Sequence, residues 1–288
     1  MQYSSLADFR TRGRSALARG PVAIVVAEDD VEVDTTIRHN LISGFRSVLL
    51  FAPEAIQLAR SLEDVVHRVR FDTLAPDAAV TAVNGVSEAA PEGTWLYYSY
   101  NAEYLFYPFA ETRTVGEMLA FHAEERRAAM LAYVIDLYAT DLGKADNAVS
   151  LENAHLDRSG YYALAREGPD GEPLERQFDF FGGLRWRFEE HIPEARRKID
   201  RIALFRTRRG LRLDADHRLN DEELNTYACP WHNNLTAAVC SFRTAKALRM
   251  NAGSRYDIEG FGWHNSVPFE WDSRQLLDLG LMEPGQWF

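Results

Sequence analysis

Three consecutive acidic residues follow the most apolar run of the chain. The run, Val22–Ala27, is typical of a buried strand, and Glu28, Asp29 and Asp30 come directly after it. Carboxylates at a strand end can accept hydrogen bonds from a ribose or a base, or contribute to a metal site. The same acids would also stabilise the amino terminus of a following helix through its macrodipole. The pattern leaves both interpretations open.

A second strand-like run ends in a short polar break. The aromatic segment that begins at Trp95 runs into Asn101-Ala-Glu103. Mg²⁺ and Mn²⁺ prefer several oxygen ligands, whereas Glu103 supplies one carboxylate and Asn101 one amide oxygen. The segment therefore predicts a weak metal site at Glu103, with an ordinary strand break as the alternative.

Histidine occurs beside acidic or aromatic residues at three places. His217 follows Asp214-Ala-Asp216 and is a candidate base or metal ligand, although short acidic loops are common in an acidic chain. Two Trp-His-Asn triplets, Trp231-His232-Asn233 and Trp263-His264-Asn265, offer flat rings for a sugar and hydrogen bonds for hydroxyl or phosphate groups. An asparagine after the first tryptophan could instead cap the next helix.

Basic residues are concentrated in one segment of an otherwise acidic chain. Arginine suits bidentate contacts with phosphate, so the segment could bind a diphosphate, a phosphorylated acceptor or an anionic membrane surface. A solvated face is the alternative. The basic residues of this segment are Arg196, Arg197, Lys198, Arg201, Arg206, Arg208, Arg209 and Arg212.

The elements that must position these residues can be predicted from the hydrophobic pattern. A strand over 22–27, a helix over 33–43 and a strand over 47–51 form a βαβ unit. Ligands of such sheets bind at the carboxyl ends of the strands, which is where Glu28 lies. An amphipathic helix over 5–19 precedes the unit.

Strands and helices continue to alternate further along the chain. Strands are expected over 95–100, 131–138 and 199–205, where β-branched and aromatic residues are frequent. Thr114-Val-Gly-Glu117 is a capping box that begins a helix, and a longer helix is expected over 234–250.

The remaining segments lack such periodicity. Residues 140–183 are polar and predict a loop-rich insertion or lid. The tail 251–288 is aromatic and is expected to pack against the rest of the protein, because exposing its tryptophans would be costly. We predict a single α/β domain over 1–288 with a mostly parallel central sheet.

Composition and motifs exclude several classes of protein. The formal charge of −11, from 32 basic and 43 acidic residues, argues against a general nucleic-acid binder. The two cysteines, Cys229 and Cys240, form no disulfide framework and are expected to be buried thiols. The sequence contains no P-loop, dinucleotide-binding, nucleophile-elbow or zinc-protease motif.

The first residues lack the pattern of a signal peptide, and no run approaches the ~20 apolar residues of a membrane span. A cytoplasmic protein is therefore expected, and peripheral contact with the anionic inner face of a membrane is left open.

The order of these features resembles the family 2-like bacterial glycosyltransferases of the GT-A fold, in the branch associated with capsule and surface polysaccharide. Members begin with a strand, an Asn-Glu pair, a helix ending in Gly and a second strand, and continue with a strand ending in D-x-D-E-F, a capped helix and another strand. A Lys-Ile-x-Arg strand and two later histidines follow. The segments that resemble these features, within about 20–250, are Val22–Ala27, Glu28-Asp29, Val33–Ser43 with Gly44, Val48–Phe51, Tyr100-Asn-Ala-Glu-Tyr104, Thr114–Glu124, Leu131–Tyr138, Lys198-Ile-Asp-Arg201, His217 and His232.

The chain departs from the family pattern where the metal would bind. Tyr100 and Ala102 replace both aspartates of the metal motif, so that only the glutamate remains, as Glu103. The asparagine of the first pair is Glu28. The resemblance leaves Mn²⁺ or Mg²⁺ open as a cofactor but does not supply the usual ligands.

The resemblance implies a three-layer α/β/α sandwich of GT-A type that transfers a sugar from a nucleotide-sugar donor to a hydroxyl of a glycan or lipid-linked acceptor. Positive side chains could replace the metal at the leaving diphosphate. The implied catalytic residues are Glu103, His217 and His232; the implied donor-binding residues are Glu28, Asp29, Asp30, Asn101, Arg201 and Lys246; the implied acceptor-binding residues are Trp231, Asn233, Trp263 and His264.

A non-catalytic alternative follows from the missing aspartates. A transferase homologue that lost its metal motif could persist as a sugar-binding, nucleotide-binding or scaffold protein. The acidic strand end and the Trp-His-Asn triplets favour the enzyme over this alternative.

Overall fold

The computed structural model describes residues 1–18 and 20–287 and shows a mixed α/β protein. Within those residues the strands form a nine-stranded, mostly parallel sheet, which confirms the predicted fold class. Its strands are β1 (Gln2–Tyr3), β2 (Val22–Val26), β3 (Ser47–Ala52), β4 (His67–Arg70), β5 (Trp95–Tyr100), β6 (Glu103–Phe106), β7 (Ala129–Asp136), β12 (Asp200–Arg206) and β15 (Ala237–Ser241), in the order β1-β4-β3-β2-β5-β12-β7-β15-β6.

Smaller sheets and helices complete the secondary structure. The remaining strands are β8 (Tyr138–Ala139), β9 (Ala154–Asp157), β10 (Tyr162–Glu167), β11 (Pro173–Phe181), β13 (Ala228–Cys229), β14 (His232–Asn233) and β16 (Ser266–Pro268). The helices are α1 (Leu6–Arg12), α2 (Arg14–Leu17), α3 (Val33–Ile42), α4 (Arg60–Glu63), α5 (Ala78–Ala89), α6 (Val115–Glu124), α7 (Leu184–Arg187), α8 (Arg243–Met250) and α9 (Ser273–Asp278). No helix among the described residues has both the length and the apolar character that crossing a bilayer requires.

The chain divides into two compact units. The first unit is formed by Met1–Tyr104, Thr112–Met130 and Ile202–Asn225. The second unit is formed by Leu105–Glu111, Leu131–Arg201 and Thr226–Phe288. The prediction of one domain over 1–288 stays a prediction.

The first unit contains the predicted βαβ arrangement. β2 pairs in parallel with β3 and with β5, and the register aligns Val26 with Phe51 and with Tyr100. Every residue of β2 and β3 is buried, because a parallel strand in the middle of a sheet is covered on both faces. This burial explains why the sequence of β2 is a continuous apolar run of mostly β-branched residues.

Helix α6 begins at the predicted capping box. The Thr114 hydroxyl accepts a hydrogen bond from the Glu117 amide at 3.3 Å, and the Glu117 carboxylate accepts one from the Thr114 amide at 2.7 Å. Two amides that the first turn would leave unpaired are thereby satisfied, which confirms the predicted helix start.

The predicted long helix over 234–250 is wrong in its first half. Residues Ala237–Ser241 form strand β15, which pairs in parallel with β7, and the helix begins only at Arg243. A short apolar run fits a buried strand as well as a buried helix, and here sheet pairing decides the outcome.

Residues 140–183, predicted to be a loop-rich insertion, include three strands. β9 lies between β8 and β16 in a small sheet, and β10 and β11 form an antiparallel hairpin. Arg166 of the hairpin is buried and makes ion pairs with Asp179 at 2.8 Å and Asp200 at 3.0 Å. Polar residues within these strands mask the alternation of apolar and polar positions that would have indicated strands in the sequence. The prediction of a lid stays a prediction.

Candidate functional site

The acidic loop of the first unit lies at the edge where a ligand is expected. Glu28 and Asp29 are half-buried and Asp30 is exposed, directly after the carboxyl end of β2. β3 and β4 continue the sheet on one side of β2, whereas β5 lies on the other side. The strand order therefore reverses between β2 and β5, and such a switch point opens a crevice at the carboxyl ends of the strands.

Asn101 holds this loop in place. Its side-chain carbonyl accepts a hydrogen bond from the Glu28 amide at 2.9 Å. Its amide group donates to the Asp29 carboxylate at 2.7 Å and to the Val31 carbonyl at 2.8 Å. Asn101 is fully buried and both ends of its side chain are engaged, so we assign it a positioning role in the site.

Further hydrogen bonds connect the start of α3 with the turn between β5 and β6. Ala102, which has a positive φ of 59°, donates its amide to the Thr36 hydroxyl at 2.9 Å. The Thr36 hydroxyl in turn donates to the Glu32 carbonyl at 2.7 Å, and Thr35 and Tyr104 share a hydrogen bond of 2.8 Å between their hydroxyls. The acidic loop is therefore preorganised by buried polar contacts.

Glu103 is placed differently from a metal-binding carboxylate. It is buried, and its Oε2 accepts a hydrogen bond from the Tyr100 amide at 2.9 Å. Across residues 1–18 and 20–287, no three His, Cys, Asp or Glu side chains converge in the geometry of a metal site. The residues around Glu103 therefore do not supply the set of carboxylates that a hard divalent cation prefers.

His217 lies in the same unit and contacts the sheet. Its Nδ1 is 3.0 Å from the Tyr98 hydroxyl, and the two rings stack at 5.8 Å with an interplanar angle of 18°. Asp214 accepts hydrogen bonds from the amides of Asp216 and Arg218, which shows that this acidic loop is a side-chain-capped turn. The Tyr98 contact fixes the orientation of the imidazole.

The other predicted site residues belong to the second unit. Trp231 is 82% exposed, and His232 and Asn233 form the short strand β14, where His232 Nδ1 lies 2.9 Å from the Asn233 carbonyl. The rings of Trp263 and His264 pack edge to face, with their centroids 4.7 Å apart. The cations predicted near a donor diphosphate, Arg201 and Lys246, are both buried in this unit.

The basic run is distributed over many separate contacts. Lys198 pairs with Asp179 at 2.8 Å, and Arg208 pairs with Asp221. Arg212 pairs with Glu88 at 2.9 Å, and Arg206 donates to the Gly93 carbonyl at 3.1 Å. These four members of the run thus have separate partners, and the run extends over both units.

A buried polar cluster of the second unit was missed by the sequence analysis. Asp157, at the end of β9, is 1% exposed and accepts hydrogen bonds from the Tyr138 hydroxyl, from the Trp263 indole at 2.7 Å and from Arg187 at 3.1 Å. Tyr138 also contacts the Ser266 hydroxyl at 2.8 Å. The only sequence signal was an acid at the end of a short apolar run, inside a segment that predicted loops.

Asp136, at the end of β7, is a second acid that was missed. Its side chain is completely buried, and burial raises its pKa, although Arg185 and Thr244 oppose the shift. It forms an ion pair with Arg185, whose Nε lies 3.5 Å from Oδ1. A Cβ on Gly183 would come within 3.0 Å of Oδ2, so the glycine lets the chain pass close to the carboxylate.

A groove of about 830 Å³ in the first unit lies at the opposite edge of the sheet. It is lined by residues at or just before the starts of the parallel strands, among them Pro21, Arg46 and Trp95, and by Arg206. Because ligands of parallel sheets bind at the carboxyl ends of the strands, the acidic loop is favoured over this groove as the ligand site.

Comparison with known proteins assigns the chain to no family. No protein-family model matches it, and no curated protein matches it at a significant level. The chemistry of the chain is therefore inferred from its own strand order, contacts and buried groups.

Proposed function

We propose that this chain is a glycosyltransferase-like enzyme of GT-A type that transfers a sugar from a nucleotide-sugar donor to an acceptor hydroxyl. The observation that carries the proposal is the position of Glu28, Asp29 and Asp30 at the carboxyl end of β2, where the strand order reverses. Asn101 fixes this acidic loop before a ligand arrives, which lowers the ordering cost of binding.

The acidic loop would recognise the nucleoside part of the donor. Carboxylates accept hydrogen bonds only, and the ribose hydroxyls and base N–H groups of a nucleotide are donors. Negative charge would repel the diphosphate, so the phosphates would lie away from the exposed Asp30 carboxylate. Glu28 and Asp30 therefore fit the nucleoside end of the donor better than its phosphate end.

Sugar transfer breaks the bond between the anomeric carbon and the diphosphate oxygen and forms one to the acceptor oxygen. The acceptor hydroxyl gives up its proton to a base, and the bonding electrons leave with the diphosphate. His217 is the candidate base in the first unit, where Tyr98 orients its ring. No step is assigned to a metal ion, because the residues near Glu103 do not fit one. His232, Arg201 and Lys246 stay predicted contributors from the second unit.

Donor binding can be measured by titration calorimetry with UDP-, GDP- and dTDP-sugars, with and without Mn²⁺. We expect one donor to bind without added metal. Replacing both Glu28 and Asp30 with alanine should weaken its binding by about 10- to 100-fold, because a hydrogen bond to a charged group contributes about 1.5–3 kcal/mol.

Glu124→Ala is the matched control, because it removes an exposed carboxylate at the end of α6 and should leave the affinity unchanged. Failure of the wild-type protein to bind any of these donors would overturn the proposal. Equal affinity in the double variant and the wild type would show that the donor does not bind at the acidic loop.

A non-catalytic nucleotide-binding or sugar-binding protein is the second candidate. It is favoured by Asn101 and Glu103, whose side chains form hydrogen bonds with the backbone at the place where the resemblance expects metal ligands. Donor binding without transfer or hydrolysis would support this candidate. Release of the nucleoside diphosphate during incubation with the bound donor would support the enzyme.

A further inference from the structure

A cavity of the second unit combines aromatic rings with charged side chains. Its volume is about 490 Å³, and its lining consists of Trp186, Arg187, Phe188, Glu189, Glu190 and Trp263. Trp186 is 41% exposed, although exposed indole surface is costly in water. A large exposed ring at the wall of a cavity is a feature of binding sites.

The ring of Trp263 is held rigidly from the protein side. Its indole N–H donates to Asp157 at 2.7 Å, and its backbone amide donates to the Ser266 hydroxyl at 2.9 Å. The Arg187 guanidinium lies 4.6 Å from the ring centroid. Three contacts from different directions therefore fix this wall of the cavity.

Trp186 rests on a glycine. The two indole rings meet edge to face, with centroids 6.4 Å apart. Gly160 has a positive φ of 94°, and a Cβ at this position would come within 3.1 Å of the Trp186 ring. Because Gly160 has no Cβ, the Trp186 ring can pack closely against its backbone, next to Trp263.

The charges of the cavity disfavour an anionic occupant. Arg187 is paired with the buried Asp157 carboxylate, which neutralises its charge. Glu189 and Glu190 are exposed; Glu189 is paired with Arg197 at 3.6 Å, and Glu190 Oε1 lies 3.8 Å from His191 Nε2. The lining therefore offers a phosphate group only a guanidinium that already has a carboxylate partner.

A cationic occupant is disfavoured for a similar reason. Glu189, one of the two acids of the lining, is already paired with Arg197 at 3.6 Å. With anionic and cationic ligands disfavoured, the lining suits a neutral ligand that has one apolar face and several hydroxyl donors. A pyranose ring has both, because its C–H groups can stack on an indole while its hydroxyls donate to carboxylates.

We propose that this cavity binds a pyranose ring of a neutral glycan through Trp186, Trp263 and Glu190. Sugar binding by this cavity does not rest on the proposed function. The site lies within the second unit and is defined without reference to the acidic loop.

Saturation-transfer NMR with methyl β-glycosides of glucose, galactose, mannose and N-acetylglucosamine tests the proposal, with no nucleotide sugar present. We expect saturation of ring C–H protons from at least one glycoside. Trp186→Ala should weaken its binding by about 10-fold or more, which corresponds to about 1.4 kcal/mol or more. Glu190→Gln should weaken it several-fold, because the amide is a poorer acceptor than the carboxylate.

Tyr256→Ala is the control, because Tyr256 is an 81% exposed aromatic residue of the same unit outside the cavity. Its removal should leave glycoside binding unchanged. Absence of transfer to every glycoside would overturn the proposal, as would unchanged binding in Trp186→Ala. Binding of tetramethylammonium in place of the glycosides would show a cation site and would also overturn it. Each of these results leaves the donor titration of the first unit unaffected.

Discussion

Replacing Asp157 with alanine should lower the free energy of unfolding by about 3–5 kcal/mol. The carboxylate is 1% exposed and accepts hydrogen bonds from Tyr138, Arg187 and Trp263. Its loss would leave the half-buried Arg187 guanidinium without its carboxylate partner, and an uncompensated charge away from water is the most costly result of a single substitution.

Urea unfolding followed by tryptophan fluorescence would measure this effect. Glu152→Ala, which removes an exposed carboxylate from the same unit, should change the unfolding free energy by less than about 0.5 kcal/mol. Asp157→Asn should fall between the two, since the amide can accept a hydrogen bond but cannot neutralise Arg187. A loss below about 1 kcal/mol in Asp157→Ala would contradict the anchoring role of this carboxylate.

Replacing His122 with leucine should make the protein more stable than the wild type at acidic pH. His122 lies on α6 with none of its surface exposed, and burial lowers its pKa to about 3, with a further contribution from Arg127 and an opposing one from the backbone of Ala129. The unfolded state takes up a proton near pH 6.5, whereas the folded state does not do so until about pH 3.

The direction of the pH dependence follows from this difference. Because the folded pKa is depressed, the contribution of His122 to stability is complete above pH 6.5 and is lost as the pH falls towards 3. The loss is about 1.4 kcal/mol per pH unit, or about 3 kcal/mol at pH 4. Leucine does not titrate, so its stability curve should lack this component.

Unfolding curves of the two proteins between pH 8 and pH 4 provide the measurement. The comparison at pH 8, where the imidazole is neutral in both states, isolates the packing difference between the side chains. The stability difference between variant and wild type should then grow in favour of the variant as the pH falls. A constant difference across this range would show that His122 titrates normally and is accessible to water.

The elements around the acidic loop could be predicted because their signals are local. The β-branched run of β2 and the capping box at Thr114 each lie within a few residues, and both were confirmed. The reversal of strand order could not be read from the sequence, because it depends on which side of β2 the distant strand β5 occupies.

The roles of single residues were harder to predict than the elements. Asn101 was identified as a candidate ligand, but its side chain is engaged by Glu28, Asp29 and Val31, a set of contacts that forms only when β2 and β5 pair. Residue type and position suggested Asn101 as a candidate ligand, and only the hydrogen bonds show that it holds the acidic loop.

The local signal of the buried cluster around Asp157 was limited to an acid at the end of a short apolar run. Its members Tyr138, Arg187 and Trp263 are far apart in the sequence, and each has a common alternative role as a core or surface residue. Trp263 was predicted as a site residue because of its Trp-His-Asn triplet, whereas Trp186, just after the predicted loop segment 140–183, belongs to no such motif. The spacing of residues in a sequence does not reveal side chains that come together only through tertiary packing.

The position of the donor is the central claim, and a crystal structure of the protein soaked with its best-binding nucleotide sugar tests it most directly. We predict nucleoside density at the carboxyl end of β2, with ribose or base groups within hydrogen-bond distance of Glu28 or Asp30. Density for the nucleotide in the groove beside Trp95 and Arg206, at the opposite ends of the strands, would contradict the account.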